Sequence, residues 1–270
     1  MNYRDCVVCG LENPEPLFRM DGYQMVRCNG CGLVYVGEGT SQIDFDALYG
    51  RGYHTGGSDS VFADYLGEEA VRRRYTRRKL ALLRHMPPRI ARQGRLLDIG
   101  CAAGFFLAEA RTLYEVQGVE LSALSSAYAR DHLELPVFTG TLGQASLPAD
   151  RFDVVTLWDV IEHVPDPVPL LAEAARVLRS GGRLVLSTGD FGSVYPQSQG
   201  AGWHLMTPPW HLTMFSLATL GRAAYSAGLR VVGWRSEGVA GDGWRWRDRA
   251  SLLLSRWLGL GDIVRLTLTK

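Results

Sequence analysis

Apolar residues in this chain fall into short runs with two different periods. Two runs, Pro16-Leu17-Phe18-Arg19-Met20 and Tyr23-Gln24-Met25-Val26-Arg27, flank Asp21-Gly22, and Asp-Gly between such runs predicts a tight hairpin. From Val61 to Met86 the spacing of Phe62, Tyr65, Leu66, Tyr75, Leu82, Leu83 and Met86 is helical, and Pro87-Pro88 ends it. Beyond Gly94, strands and helices alternate. The pattern predicts a strand opening at Arg95, then strands at Val116–Glu120, Val137-Phe138, Phe152–Leu157 and Arg183–Thr188, with helices over Ala123–Leu133 and Pro169–Leu178. Such alternation implies an α/β fold with a parallel, doubly wound sheet. Three regions follow: residues 1–40, a small cysteine-bearing module; residues 41–93, a linker and N-terminal helical lid; and residues 94–270, the α/β domain.

Composition narrows the class of function. The 270 residues carry 29 Lys and Arg against 28 Asp and Glu, a net charge of +1, with 46% hydrophobic residues. That balance excludes a disordered chain and lacks the basic excess of a free nucleic-acid binder. No apolar run approaches the roughly 20 residues that span a bilayer. The first residues, Met-Asn-Tyr-Arg-Asp-Cys, hold no apolar signal stretch, so a cytoplasmic location is expected. Thiols stay reduced there, which favours metal ligation over disulfides.

Four of the five cysteines come in two pairs, Cys6-Val-Val-Cys9-Gly10 and Cys28-Asn-Gly-Cys31-Gly32. Each C-x-x-C turn sets two thiolates on one side of a tight loop, and the pairs together predict a closed tetrahedral zinc site. Cys6 to Val36 resembles a zinc ribbon. About 30 residues bury too little core to fold without such a staple, so a structural role is expected.

The segment Asp98-Ile-Gly100-Cys101-Ala-Ala-Gly104 puts small residues between a strand and a helix, where a ligand can approach the backbone. Glu120 ends the next strand, where an acid can take both hydroxyls of a ribose. With Phe152-Asp-Val-Val, Glu162-His-Val-Pro-Asp-Pro167 and Leu178-Arg-Ser-Gly-Gly182, residues 94–270 resemble a class I S-adenosylmethionine-dependent methyltransferase. The resemblance implies a Rossmann-like seven-stranded sheet with an antiparallel last strand. The sixth strand would come from Leu229–Trp234 and the seventh from Asp262–Thr269, with a helix over Trp244–Leu258 between them. It further implies that Asp98, Gly100, Cys101 and Gly104 face the methionine part and ribose of S-adenosylmethionine. Glu120 would bind the ribose hydroxyls, Leu121, Thr141 and Leu142 would contact the adenine, and Trp158 would sit near the cofactor. Gly140-Thr141-Leu142 lacks the acid usual in that loop, so adenine contacts would be apolar and backbone.

On the substrate side, a helix starting at Asp159 would set Asp159, Glu162 and His163 on one face. His211, after Thr207-Pro-Pro-Trp210, would join them at the carboxyl edge of the sheet. Two readings stay open. In one, Asp159, Glu162, His163 and His211 bind a second, divalent metal that acidifies an acceptor hydroxyl, as the resemblance to ubiquinone-pathway and small-RNA O-methyltransferases implies. In the other, His163 or His211 is a general base; beside both stands the plainer alternative that Glu162 and His163 only order the helix start and the cofactor pocket, since methyl transfer needs little beyond in-line positioning. Trp203, Trp210, Tyr49, Tyr53 and His54 either line an acceptor pocket or fill core. The Arg72–Lys79 run is either a solvated helix face or an anion contact.

O-methylation of a small-molecule or glycan-precursor acceptor is expected first, and sugar C-methylation second, since the chain ends with the seventh strand. An RNA methyltransferase with a zinc module is disfavoured by the acidic balance of residues 1–40, Arg4, Arg19 and Arg27 against Asp5, Glu12, Glu15, Asp21 and Glu38. A non-catalytic zinc-ribbon binding module is disfavoured by the intact loop and Glu120. The helix holding Trp244, Trp246, Leu252, Leu253 and Trp257 offers a face for the sheet or for a second subunit.

Overall fold

The computed structural model describes residues 3–38, 40, 43–44, 48, 66–84, 94–237 and 261–270. Two compact units emerge. The first takes Met1–Ile43, Asp159–Ala175 and Val185–Thr269; the second takes Asp44–Trp158, Arg176–Leu184 and Lys270. Tyr49, Tyr53, His54 and the 244–258 segment lie outside the described residues.

In the first unit, β1 (Glu15–Met20) and β2 (Tyr23–Arg27) form the expected hairpin. Asp21 and Gly22 both have positive φ, 49° and 85°, as a two-residue turn with the twist of its strands requires. A third strand, β3 (Val34–Glu38), pairs antiparallel with β2, placing Val26 opposite Tyr35. Gly37 is dictated by packing, because a Cβ there would lie 2.5 Å from the Val26 side chain. Met25, Val26, Leu33, Val34, Tyr35 and Val36 are buried. The sheet's fourth strand is β9 (Thr213–Met214), giving the order β1-β2-β3-β9. The unit also holds α5 (Val194–Gln199), α6 (Leu217–Ser226), β10 (Arg230–Glu237) and β11 (Ile263–Thr269). β10 and β11 pair antiparallel, with Trp234 opposite Leu266. Ser216 caps α6, its Oγ accepting from the Thr219 amide in a capping box.

In the second unit, β4 (Arg95–Ile99) is flanked by β5 (Glu115–Glu120) and β7 (Phe152–Trp158), with β6 (Val137–Thr139) beyond β5, all parallel. Leu96, Leu97, Val154, Val155 and Leu157 are fully buried, as strands covered on both faces must be. α2 (Phe105–Ala110) packs tightly on them. Gly118 permits this: a Cβ there would meet both Cys101 Sγ and Leu107 Cδ1 at 2.7 Å. β8 (Leu178–Gly189), five residues longer at its start than the sequence pattern predicts, runs through both units. The seven-stranded sheet has the order β10-β11-β8-β7-β4-β5-β6, a Rossmann-like α/β fold with antiparallel last strands.

α1 (Glu69–Arg84) is the described part of the expected helix, preceded by a turn at residues 66–68; the expected start at Val61 and end at Met86 lie outside the described residues. Its arginine run is a docking surface of a kind the sequence pattern did not suggest. Arg73 and Arg77 converge on Glu109 of α2 at 2.7 and 2.9 Å, while Arg72 and Arg73 pair with Glu68 and Glu69 one turn back. Leu80 and Leu83 are the buried side of the same helix.

Candidate active site

In the second unit the chain leaves β4 through a loop of unusual backbone. Gly100, Ala102 and Gly104 have φ of 69°, 48° and 81°. A Cβ on Gly104 would lie 2.6 Å from Leu135 and 3.0 Å from Ala129, so close packing and backbone sign both demand glycine there. Glu120 fixes the loop from across. One carboxylate oxygen accepts from the Ala102 amide and the other from the Ser122 amide, both at 2.8 Å. Burial raises the Glu120 pKa, and backbone hydrogen bonds from Ser122, Ala102 and Leu121 oppose the rise. Asp98 is 2% exposed and accepts from Thr156 Oγ1 at 2.6 Å. Burial pushes its pKa up to about 7, against that hydrogen bond. Cys101 is buried, which raises its thiol pKa well above the ordinary value.

Trp158 ends β7 with Phe106 edge-on at 5.5 Å and the Lys79 ammonium 4.9 Å over its ring. Its indole Nε1 is buried and finds no hydrogen-bond partner among the described residues. Leu121 is exposed and Leu142 is buried; the Thr141 amide and hydroxyl both bond Gln144 Oε1. These residues fit S-adenosylmethionine on chemical grounds. A carboxylate at the end of β5 can accept from a ribose diol, and a buried indole N–H at the end of β7 is suited to an acceptor.

The acceptor-side candidates lie in the first unit, whose second segment begins at Asp159, the residue after Trp158. The predicted helix is absent. Asp159 has φ 57°, and only one 3-10 turn, Ile161–His163, follows. The reversal sends the Asp159 carboxylate to Ser187 Oγ at 2.7 Å. Glu162, His163 and His211 converge instead, with ligand atoms all within 4.8 Å of one another. Their rings and segments are held from behind. His163 Nδ1 lies 2.8 Å from the Trp210 carbonyl and His211 Nδ1 2.6 Å from the Leu205 carbonyl. A carbonyl only accepts, so each neutral ring carries its proton on Nδ1 and its lone pair on Nε2. The rings meet edge to face at 4.7 Å. Burial lowers both pKa values, that of His163 to about 3, so both rings are neutral at neutral pH. Two neutral imidazoles and a carboxylate, each imidazole braced through its second nitrogen, form a donor set suited to a divalent ion.

A small cleft beside this cluster is lined by Glu162, His211, Thr188, Gly189, Trp203 and Leu205 among others. Thr188 Oγ1 and Trp203 Nε1 are buried and find no hydrogen-bond partners among the described residues. Gly189 makes room for the indole, since a Cβ there would sit 2.6 Å from it. Trp203 is thus both core, against Phe191 at 5.5 Å, and cleft wall. Thr188 was invisible in the sequence, because no motif marks one threonine in an apolar strand.

The four paired cysteines cluster as the spacing predicts. Cys6 Sγ lies 3.5 Å from Cys31 Sγ, and Cys9 Sγ 3.4 Å from Cys28 Sγ. These gaps are far longer than a disulfide and near the sulfur spacing of a tetrathiolate zinc site. The knuckles repeat one backbone pattern: Gly10 and Gly32 donate to the Cys6 and Cys28 carbonyls, at positive φ. The cluster fits a zinc ribbon.

Among the described residues no helix is long and apolar enough to cross a membrane. Residues 69–233 match a family described as a methyltransferase domain. A ubiquinone biosynthesis O-methyltransferase from Alkalilimnicola ehrlichii is 39% identical over 102 residues, 35% of this chain and 41% of that protein. The chain therefore spans about two fifths of such a relative. In fold, it is similar to a chain from the complex of the Haloferax volcanii Trm112 methyltransferase activator with a methyltransferase, at TM-score 0.57 and 20% identity over 75% of this chain and 91% of that one. A SAM-dependent methyltransferase from Thermotoga maritima gives TM-score 0.55 and 21% identity over 76% of this chain and 94% of that one.

Proposed function

This chain belongs to the methyltransferase domain family, and we propose that it moves a methyl group from S-adenosylmethionine to an oxygen of a small-molecule acceptor. The observation that carries the oxygen acceptor is the convergence of Glu162, His163 and His211. The named activity of the Alkalilimnicola relative supports it.

S-adenosylmethionine supplies a methyl group on a sulfonium, already activated for displacement. The chain's residues have three tasks. Glu120 takes the ribose hydroxyls, while Asp98, Gly100, Cys101 and Gly104 form the wall beside the methionine part and ribose. Trp158 offers its buried N–H to a cofactor oxygen, and Leu121, Thr141 and Leu142 flank the adenine. Glu162, His163 and His211 handle the acceptor hydroxyl. Held by the two Nε2 lone pairs and the carboxylate, a divalent ion would lower the pKa of that hydroxyl. Direct proton removal is the second reading. His211 is its better base, because His163, at a pKa of about 3, binds a proton poorly near neutrality.

Elemental analysis and cofactor titration before and after EDTA test the proposal. One tightly held zinc and one EDTA-labile divalent ion per chain are expected. His211→Ala should lose the labile ion and about 10²–10⁴-fold in turnover with cofactor affinity unchanged. Turnover unaffected by EDTA but lost in His211→Ala would favour the base. No cofactor binding would overturn the proposal.

A further inference from the structure

We infer that the four-cysteine module positions the acceptor-side cluster, with β3 serving as the template on which His211 is hung. The inference rests on reading Glu162, His163 and His211 as the acceptor-side site. The link is two backbone hydrogen bonds through one residue. Val36 of β3 donates its N–H to the Leu212 carbonyl at 2.9 Å, and Leu212 donates its own N–H to the Glu162 carbonyl at 2.8 Å. Leu212 is the residue after His211. The pairing continues directly into β9, with Tyr35 opposite Thr213 and Val34 opposite Met214. One edge of the module therefore fixes the backbone of His211 and, through it, that of Glu162.

A second tie reaches the other side of the cluster. Arg4 donates to the Pro165 carbonyl and pairs with Asp166, two and three residues past His163. Tyr35 Oη holds Arg4 in turn, donating to its carbonyl at 2.8 Å. Both ties belong to the first unit.

The cysteines control β3 because the second knuckle runs straight into it. Cys28 donates its N–H to the Leu33 carbonyl at 2.8 Å, one residue before the strand. A module this small holds its shape through its metal. Misplacement of a reacting group by about 1 Å can cost about 10²-fold in rate. A closed tetrathiolate site, with no open coordination position of its own, can therefore govern turnover through backbone geometry.

The test uses the full chain and a readout other than activity. Long-range ¹H–¹⁵N NMR reports which nitrogen of each imidazole carries the proton. Native protein should show His163 and His211 as Nδ1–H tautomers. Cys9→Ser, which weakens zinc binding, and Val36→Pro, which deletes the one N–H that reaches Leu212, should each erase the His211 Nδ1–H signal. Both should lower turnover by about 10- to 100-fold and leave cofactor affinity within about twofold, because the cofactor loop lies in the other unit. Arg19→Ala, which breaks only the exposed Arg19–Glu38 pair, should change nothing. Retention of the His211 tautomer in a zinc-free Cys9→Ser chain would overturn the inference. Loss of cofactor affinity along with the tautomer would overturn it too, by making the module a general stabiliser. An altered tautomer in a chain without methyl transfer to any oxygen would instead fault the proposed activity and leave the positioning intact.

Discussion

The cofactor loop of the second unit and the acceptor-side cluster of the first are built by opposite means. The cofactor loop is a local object: Glu120 clamps Ala102 from 18 residues away, within one strand-loop-helix-strand unit. The acceptor cluster is assembled from a distance. His163 is braced by the Trp210 carbonyl 47 residues on, and His211 depends on a strand from the start of the chain. A local loop survives damage elsewhere in the chain, whereas an assembled cluster inherits every fault of the segments that hold it.

The largest expected effect breaks the local half. Glu120→Ala removes the acceptor of the Ala102, Leu121 and Ser122 amides and of the ribose hydroxyls. Cofactor affinity should fall about 100-fold by calorimetry, from hydrogen bonds to a charged group worth about 1.5–3 kcal/mol each. The His163 and His211 tautomers should stay native. An unchanged cofactor affinity would remove Glu120 from the cofactor site.

A smaller effect sharpens the assembled half. Thr188→Val keeps the shape of a buried side chain and deletes one donor from the cleft. Acceptor KM should rise about tenfold with cofactor affinity constant. A fall in thermal stability with KM unmoved would make Thr188 a packing residue only.

The smallest effect is a contrast in pH dependence. The folded pKa values of His163 and His211 lie below those of the unfolded chain. The folded state therefore binds fewer protons, and stability present above about pH 6.5 is lost as pH falls toward about 3. Asp98 has the opposite sign. With its pKa raised to about 7, its contribution is full below the unfolded carboxylate value of about 3.9 and is lost as pH rises through about 7. His163→Gln should flatten the acid loss of melting temperature, and Asp98→Asn should steepen it between about pH 7 and 4. Parallel curves for all three proteins would dissolve the contrast.

That division also explains what could be read in the residues beforehand. The zinc knuckles, the Asp21-Gly22 hairpin, the seven strands and the antiparallel end rest on local spacing, and the structure repeats them. The arginines of α1 could be seen as charge but not as ligands of Glu109, because their partner is a tertiary neighbour. The expected face of Asp159, Glu162 and His163 failed for a different reason. Helical spacing was assumed where one left-handed residue turns Asp159 toward Ser187. Neither β9 nor the orphaned pair of Thr188 and Trp203 has any local signature, since both follow from what a distant segment brings alongside.

The strand order β1-β2-β3-β9 has a consequence for how the chain is made. During synthesis the cysteine module emerges long before β9, and the edge of its apolar strand Val34-Tyr35-Val36 finds its partner only once Thr213 and Met214 have left the ribosome. Through that interval an open, β-prone edge faces the cell, the kind of edge that invites pairing with a foreign chain. A sheet begun by β1, β2 and β3 is thus completed only by a strand translated much later, and its vulnerability to aggregation is set by the speed of elongation across the residues between them.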